Sequence, residues 1–194
     1  MQTVDDLPAQ AFSAVTAADA GIGARELRRL RETGAIDRIG RGLYRRADLP
    51  PANLDLVEIA ARSPSATICL TSALAQHGLI DAIPARIDIA LPRGARSPRS
   101  TVPVAWHHFD TATFTLERTE LPIDGTDSTI GLYSAERSIV DAYRLRGIKG
   151  YEIASEALKN WLRQHESHPA TLMAIAQQLP RASGPLRQAL ELLS

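Results

Sequence analysis

Eight arginines fall within residues 22–46: Arg25, Arg28, Arg29, Arg31, Arg38, Arg41, Arg45 and Arg46. Only Glu26, Glu32 and Asp37 oppose them, for a net charge of +5. Guanidinium forks at this density suit phosphate, and an arginine on a helix in a major groove also suits the O6/N7 edge of guanine. A second basic stretch, residues 86–108, carries Arg86, Arg93, Arg96 and Arg99 against Asp88, a net of +3. Residues 109–141 invert the sign, with seven acids against Arg118 and Arg137, a net of −5. The chain as a whole is neutral, with 22 basic and 22 acidic residues. Its charge is segregated, and the function suggested is local nucleic-acid contact, not coating.

The first basic stretch needs elements to aim it, and the sequence supplies them. Val15 to Leu30 reads as a helix-turn-helix. Ala17 is small where two helices would cross. Gly21 stands four residues later, where the turn needs a positive φ that other residues resist. Ile22 points inward, and Leu27 and Leu30 share one face of the second helix. At ~100° per residue, Arg25, Arg28, Arg29 and Glu32 project from the other face. Gly34 ends that helix. Ile36 to Arg46 then alternates around Gly40-Arg41-Gly42, which reads as a β-hairpin with Arg41 at its tip. A helix-turn-helix followed by a basic hairpin is a winged helix. The arginines expected to contact DNA are Arg25, Arg28 and Arg29 on the helix and Arg38, Arg41, Arg45 and Arg46 on the wing.

The 194 residues allow one domain or two modest ones, with 44% hydrophobic and 23% charged residues marking a globular chain. A boundary is expected near Asp48-Leu-Pro-Pro-Ala-Asn53, where the proline pair removes two backbone donors. The expected division is a winged helix-turn-helix over residues 1–49 and a larger mixed α/β domain over 53–194. The fold class is therefore α+β, ending in helices. Asn53 should cap a helix carrying Leu56, Val57 and Ile59. Strands are expected at Thr67–Leu70, Arg86–Leu91, Val102–Phe109, Phe114–Leu116 and Ile130–Tyr133. Thr71 or Ser72 should cap a helix that Gly78 stops, and Ser134 another carrying Ile139, Val140 and Tyr143. From Tyr151 the pattern is helical. Pro169 suits a first helical position, and Pro185 a last helix.

Other chemistry finds little support. The single cysteine, Cys69, excludes an internal disulfide or a multi-thiolate zinc site. His165-Glu-Ser-His168 has metal-ligand spacing but runs into Pro169 and reads as a turn. His107 and His108 are adjacent in a strand and point to opposite faces. His77 sits at a helix end, where a cationic ring suits the dipole. Trp106 and Trp161 read as core, and Tyr44 as packing beneath the wing. A nuclease would have Asp88 as its only anchor, without the carboxylate-x-Lys partner. There is no G-x-S-x-G and no P-loop. No enzyme, cofactor or metal is expected. No apolar run approaches the ~18–20 residues of a membrane helix, and the acidic N-terminus lacks a signal core. A cytoplasmic protein is the expectation.

The stretch from Gly21 to Tyr44 resembles the N-terminal winged helix of the AbiEi-type antitoxins of bacterial abortive-infection toxin–antitoxin systems. Leu70-Thr-Ser-Ala-Leu-Ala-Gln-His-Gly-Leu79 is similar to that family's helix after the linker, and Ile87 to Arg99 to its next strand and basic loop. Ser134-Ala-Glu-Arg-Ser-Ile-Val-Asp-Ala-Tyr143 resembles its S-x-x-R-x-[IV]-x-D helix. The resemblance implies a repressor that binds operator DNA and autoregulates its operon. It implies a C-terminal part that counters a nucleotidyltransferase-type toxin and assists dimer or operator binding. Arg93, Arg96 and Arg99 form a loop suited to nucleic acid or a partner. Two alternatives stand beside this reading: a stand-alone regulator, and an interaction module without a cognate toxin.

Overall fold

The computed structural model describes residues 3–149, 151–164 and 167–193. Contacts divide the chain into two compact units. The first comprises Met1–Ala66, Ser97–Pro103 and Glu120–Ile130, and the second Thr67–Arg96, Val104–Thr119 and Gly131–Ser194. The result is an α+β protein with one sheet of three strands and one of five.

In the first unit, strand β1 (Phe12–Ser13) leads into helix α1 (Ala14–Asp19), followed by α2 (Ala24–Glu32), β2 (Ile36–Gly40) and β3 (Leu43–Arg46). Ser13 caps α1, its hydroxyl accepting from the Thr16 amide at 3.1 Å. Gly21 adopts φ +82°. That turn lets the Ile22 amide reach back to the Ala17 carbonyl at 2.8 Å, a left-handed helix end that leaves Ile22 pointing inward. Leu7, Phe12, Ala17, Ile22, Leu27, Leu30 and Ile36 make one small core. The hairpin β2–β3 is antiparallel, with a register shift between Arg38 and Gly40. Strand β1 adds to the far side of β3, pairing Phe12 with Tyr44. Their rings stack at 6.1 Å, so Tyr44 packs beneath the wing as expected. The two-residue β1 carries no alternation that sequence reading could detect.

Helix α3 (Leu54–Arg62) closes this unit, capped by the Asn53 side chain. It lies so close to the wing that a Cβ at Gly40 would stand 2.7 Å from the Glu58 carboxyl carbon. A larger residue there would have to displace the Glu58 and Arg62 side-chain ends.

The second unit holds β4 (Thr67–Ile68), α4 (Leu70–Gln76), β5 (Ile87–Pro92) and β6 (Val104–Phe109). Strands β7 (Arg118–Pro122) and β8 (Thr129–Tyr133) complete a sheet of order β6-β5-β4-β8-β7. Then come α5 (Ala135–Arg144), α6 (Arg146–Lys149), α7 (Tyr151–Leu162), α8 (Pro169–Gln178) and α9 (Ser183–Leu193). Helix α5 touches α4, α7, α8 and α9. Its Ile139, Val140 and Tyr143 sit in the main apolar core with Leu158, Trp161, Leu172 and Leu186.

Two local expectations are corrected. Phe114–Leu116 is not a strand: it follows a 3-10 turn at Thr111–Thr113. Its amides close turns, Phe114 onto the Thr111 carbonyl and Leu116 onto the Thr113 carbonyl, while the Thr113 and Leu116 carbonyls accept from the Arg137 guanidinium. The edge strand comes later, at β7, whose residues are largely polar and exposed. Helix α4 starts at Leu70 with Cys69 at the cap position, so neither Thr71 nor Ser72 caps it. Ser72 instead accepts the Asp88 amide at 2.9 Å.

Candidate nucleic-acid interface

Helix α2 buries Leu27 and Leu30 and turns Arg25, Arg28, Arg29 and Arg31 to solvent. Its leucines are 60° apart on the helical wheel, so the opposite face is free for charge. Two of the arginines are latched along the helix. Arg28 pairs with Glu32 at 2.8 Å. Arg29 grips Glu26 with two hydrogen bonds, 2.9 and 2.5 Å. These bonds hold the Glu26 carboxyl below its ordinary range and push the Arg29 guanidinium up, so both stay charged at neutral pH. Both latches are exposed and cost little to exchange for a phosphate or base edge. Arg31 is the functional candidate the sequence reading passed over. It borders a shallow depression with Ala14, Ala24, Leu27, Arg28 and Tyr44. Its place three residues after Arg28 is the signal that could have found it.

The wing divides its arginines. Arg41 stands exposed at the tip, and Arg38 is exposed with its Nε donating to the Gly40 carbonyl at 3.1 Å. Arg45 is buried, and its Nη2 donates to the carbonyls of Pro50 at 2.6 Å and Gly125 at 3.0 Å. Arg46 is largely covered and bridges Asp5 at 2.8 Å and Asp48 at 2.6 Å. The Asp48 hydrogen bond pushes the Arg46 guanidinium up, and Arg46 in turn holds the Asp48 carboxyl down. Strand alternation explains Arg45, which shares its face of β3 with buried Leu43.

Behind the wing, Glu58 is fully buried on α3 and forms a hub. Arg62 pairs with it at 2.7 Å and donates through Nη2 to the Arg41 carbonyl at 3.2 Å. The Thr101 amide and hydroxyl donate to the same carboxylate at 3.2 and 2.5 Å. Burial alone would raise this carboxyl, but the bonds from Thr101 and Arg62 outweigh it and hold it below 4.5. The i,i+4 spacing of Glu58 and Arg62 is a signal the sequence carries, but Thr101 lies on a separate segment and marks nothing locally.

The second basic loop is split. Arg93, exposed and paired with Asp110 at 3.1 Å, and exposed Arg96 belong to the second unit. Arg99, also exposed, belongs to the first. The acidic stretch 109–141 is not one surface either, since Asp141 is fully buried. Asp141 receives Arg137 at 2.8 Å and Arg144 at 2.8 Å. The fully buried Arg137 guanidinium also lies 4.6 Å from the Tyr133 ring centroid. The S-x-x-R-x-[IV]-x-D pattern is thus a structural clamp, with Ser134 capping α5.

The histidines hold the sheet and turns. His107 meets Asp88 at 2.8 Å. His108 donates to the Ala95 carbonyl at 2.9 Å, consistent with opposite faces. His77 donates to the Tyr133 carbonyl at 2.8 Å and so has a specific partner beyond the helix dipole. Trp161 is buried and Trp106 half-buried. His165 lies outside the described residues. Among the described residues, no group of three His, Cys, Asp or Glu is arranged to hold a metal, and no helix is long and apolar enough to cross a membrane.

Fold and charge together define a winged helix-turn-helix with an arginine-bearing second helix. Residues 7–47, which span that element, match the family model described as "Transcriptional regulator, AbiEi antitoxin". That description is of a family of regulators. No curated protein matches the chain. Among solved structures, the chain is similar to the crystal structure of the RV2827C protein from Mycobacterium tuberculosis. The TM-score is 0.57 at 20% identity, over 96% of this chain and 74% of that one. At that identity the likeness speaks for the fold alone.

Proposed function

We propose that the protein is a sequence-specific DNA-binding repressor acting as the antitoxin of a toxin–antitoxin pair. It autoregulates its operon and counters a nucleotidyltransferase-type toxin in the cytoplasm. The observation that carries the reading is the exposed arginine row of α2, set on a winged helix that matches a family of antitoxin regulators. In this reading residues 1–49 bind operator DNA and residues 53–194 serve the antitoxin role and any pairing of two copies on the operator. Arg25, Arg28 and Arg29, joined by Arg31, face the major groove, while Arg38 and Arg41 reach phosphates beside it. Arg45 and Arg46 shape the wing and touch no DNA. Arg93 and Arg96 are kept for a partner or a flanking phosphate.

The test is a footprint and titration on the DNA upstream of the gene. Arg25→Ala/Arg29→Ala should lose discrimination between that DNA and unrelated duplex, since a base-reading arginine is worth ~1–3 kcal/mol. Arg41→Ala should weaken both alike. Unchanged discrimination in the double variant would remove α2 from the mechanism. The toxin partner is tested by co-expressing a neighbouring nucleotidyltransferase gene. Growth arrest relieved by this chain is expected, and arrest left unrelieved would strip the antitoxin role from the proposal.

A further inference from the structure

The Glu58 hub joins three segments of the first unit: the wing through Gly40 and the Arg41 carbonyl, α3 through Arg62, and the returning segment Ser97–Pro103 through Thr101. Burial of Val102 seats the return segment, and the Val102 amide on the Ser100 hydroxyl at 3.0 Å stiffens it internally. Two residues before the Thr101 anchor stands Arg99, exposed. Two residues of chain span at most ~7 Å, so the Arg99 backbone is confined close to the hub. Arg62 links that hub directly to the wing tip. Arg93, six residues earlier, has Asp110 as its ion-pair partner; Arg99 pairs with no carboxylate among the described residues and lies in the unit that holds the winged helix.

We infer that Arg99 is a further DNA-phosphate contact flanking the wing, with Glu58 and Thr101 as positioning residues that hold its segment against the wing. The inference rests on the DNA-binding reading above and adds a contact from a part of the chain more than fifty residues beyond the winged helix. The partner is a duplex phosphate, because an exposed arginine on a short anchored segment matches a fixed anion beside an already cationic wing. A buried carboxylate on the inner side does not cancel the charge outside, since Arg62 and the two Thr101 donors satisfy it.

The experiment measures affinity for the upstream DNA against salt in the full-length chain. One phosphate contact contributes ~0.9 to the slope of log K against log salt. Arg99→Ala should therefore be shallower by ~0.9, so that between 50 and 200 mM salt the wild type loses ~3.5-fold more affinity than the variant. Arg187→Ala, which removes an exposed arginine from α9, should leave the slope unchanged. Thr101→Val should fall toward the Arg99→Ala slope, and Thr101→Ser, which keeps the hydroxyl, should restore the wild-type value. A wild-type slope in Arg99→Ala overturns the inference while DNA binding stands. Equal losses in Arg99→Ala and Arg187→Ala overturn it too, as a general charge effect. A wild type that binds no DNA overturns the reading beneath it.

Discussion

Arg137→Met tests the clamp at the centre of the second unit. Arg137 and Asp141 are both fully buried and meet at 2.8 Å one helical turn apart. Removing the cation leaves Asp141 with Arg144 alone, and it strips the Thr113 and Leu116 carbonyls of donors that now sit at 3.0 and 3.1 Å. Breaking a buried pair from one side costs ~3–5 kcal/mol. The surviving Arg144 contact at 2.8 Å argues for the lower end. For a chain of this length, each kcal/mol shifts Tm by ~2–4 °C, giving a fall of ~6–16 °C. Tryptophan fluorescence is the assay, because the two tryptophans, Trp106 and Trp161, both lie in the second unit. Arg137→Met/Asp141→Leu should recover part of the loss, since both fully buried charges are then gone and only Arg144, whose side chain still reaches solvent, loses its carboxylate. A single-variant fall below ~3 °C, or a double variant worse than the single, would refute the reasoning.

Two further predictions follow from the first unit. Arg45→Ala should destabilise by ~1.5–3 kcal/mol, because it removes charge-assisted hydrogen bonds to two carbonyls, yet leave the salt slope of DNA binding unchanged. A shallower slope would return Arg45 to the interface. The Glu58 carboxyl sits below its ordinary value of 4.5, so it contributes stability above pH 4.5 that is lost as pH falls through its lower folded value. Glu58→Gln should flatten that acid loss, as read by circular dichroism below pH 4.5, and an unchanged acid limb would contradict the hub.

Much of the winged helix is legible because its rules are local. The helix periodicity of Leu27 and Leu30, the positive-φ glycine at Gly21 and the alternation around Gly40-Arg41-Gly42 each constrain neighbours within a few residues. The matched segment 7–47 is the same stretch. The sense of the arginines was less legible. Counting charge treats Arg41 and Arg45 alike, whereas the hairpin turn leaves Arg41 in solvent and strand alternation sends Arg45 onto the Pro50 and Gly125 carbonyls. Distance in sequence hides the rest. Gly125 lies 80 residues from Arg45, and Thr101 lies 43 from Glu58. The Phe114–Leu116 turn went unread for the same reason, because the demand on its carbonyls comes from Arg137 on a later helix.

The most direct measurement is binding of the full-length protein to the DNA upstream of its own gene, titrated with salt and set against unrelated duplex. With Arg25, Arg28, Arg29, Arg31, Arg38 and Arg41 exposed on one winged helix, affinity should fall steeply as salt rises. At fixed salt the upstream DNA should bind at least ~10³-fold tighter than unrelated sequence, the range of specific regulators. Binding that ignores salt, or that is equal on both duplexes, would contradict a sequence-specific repressor.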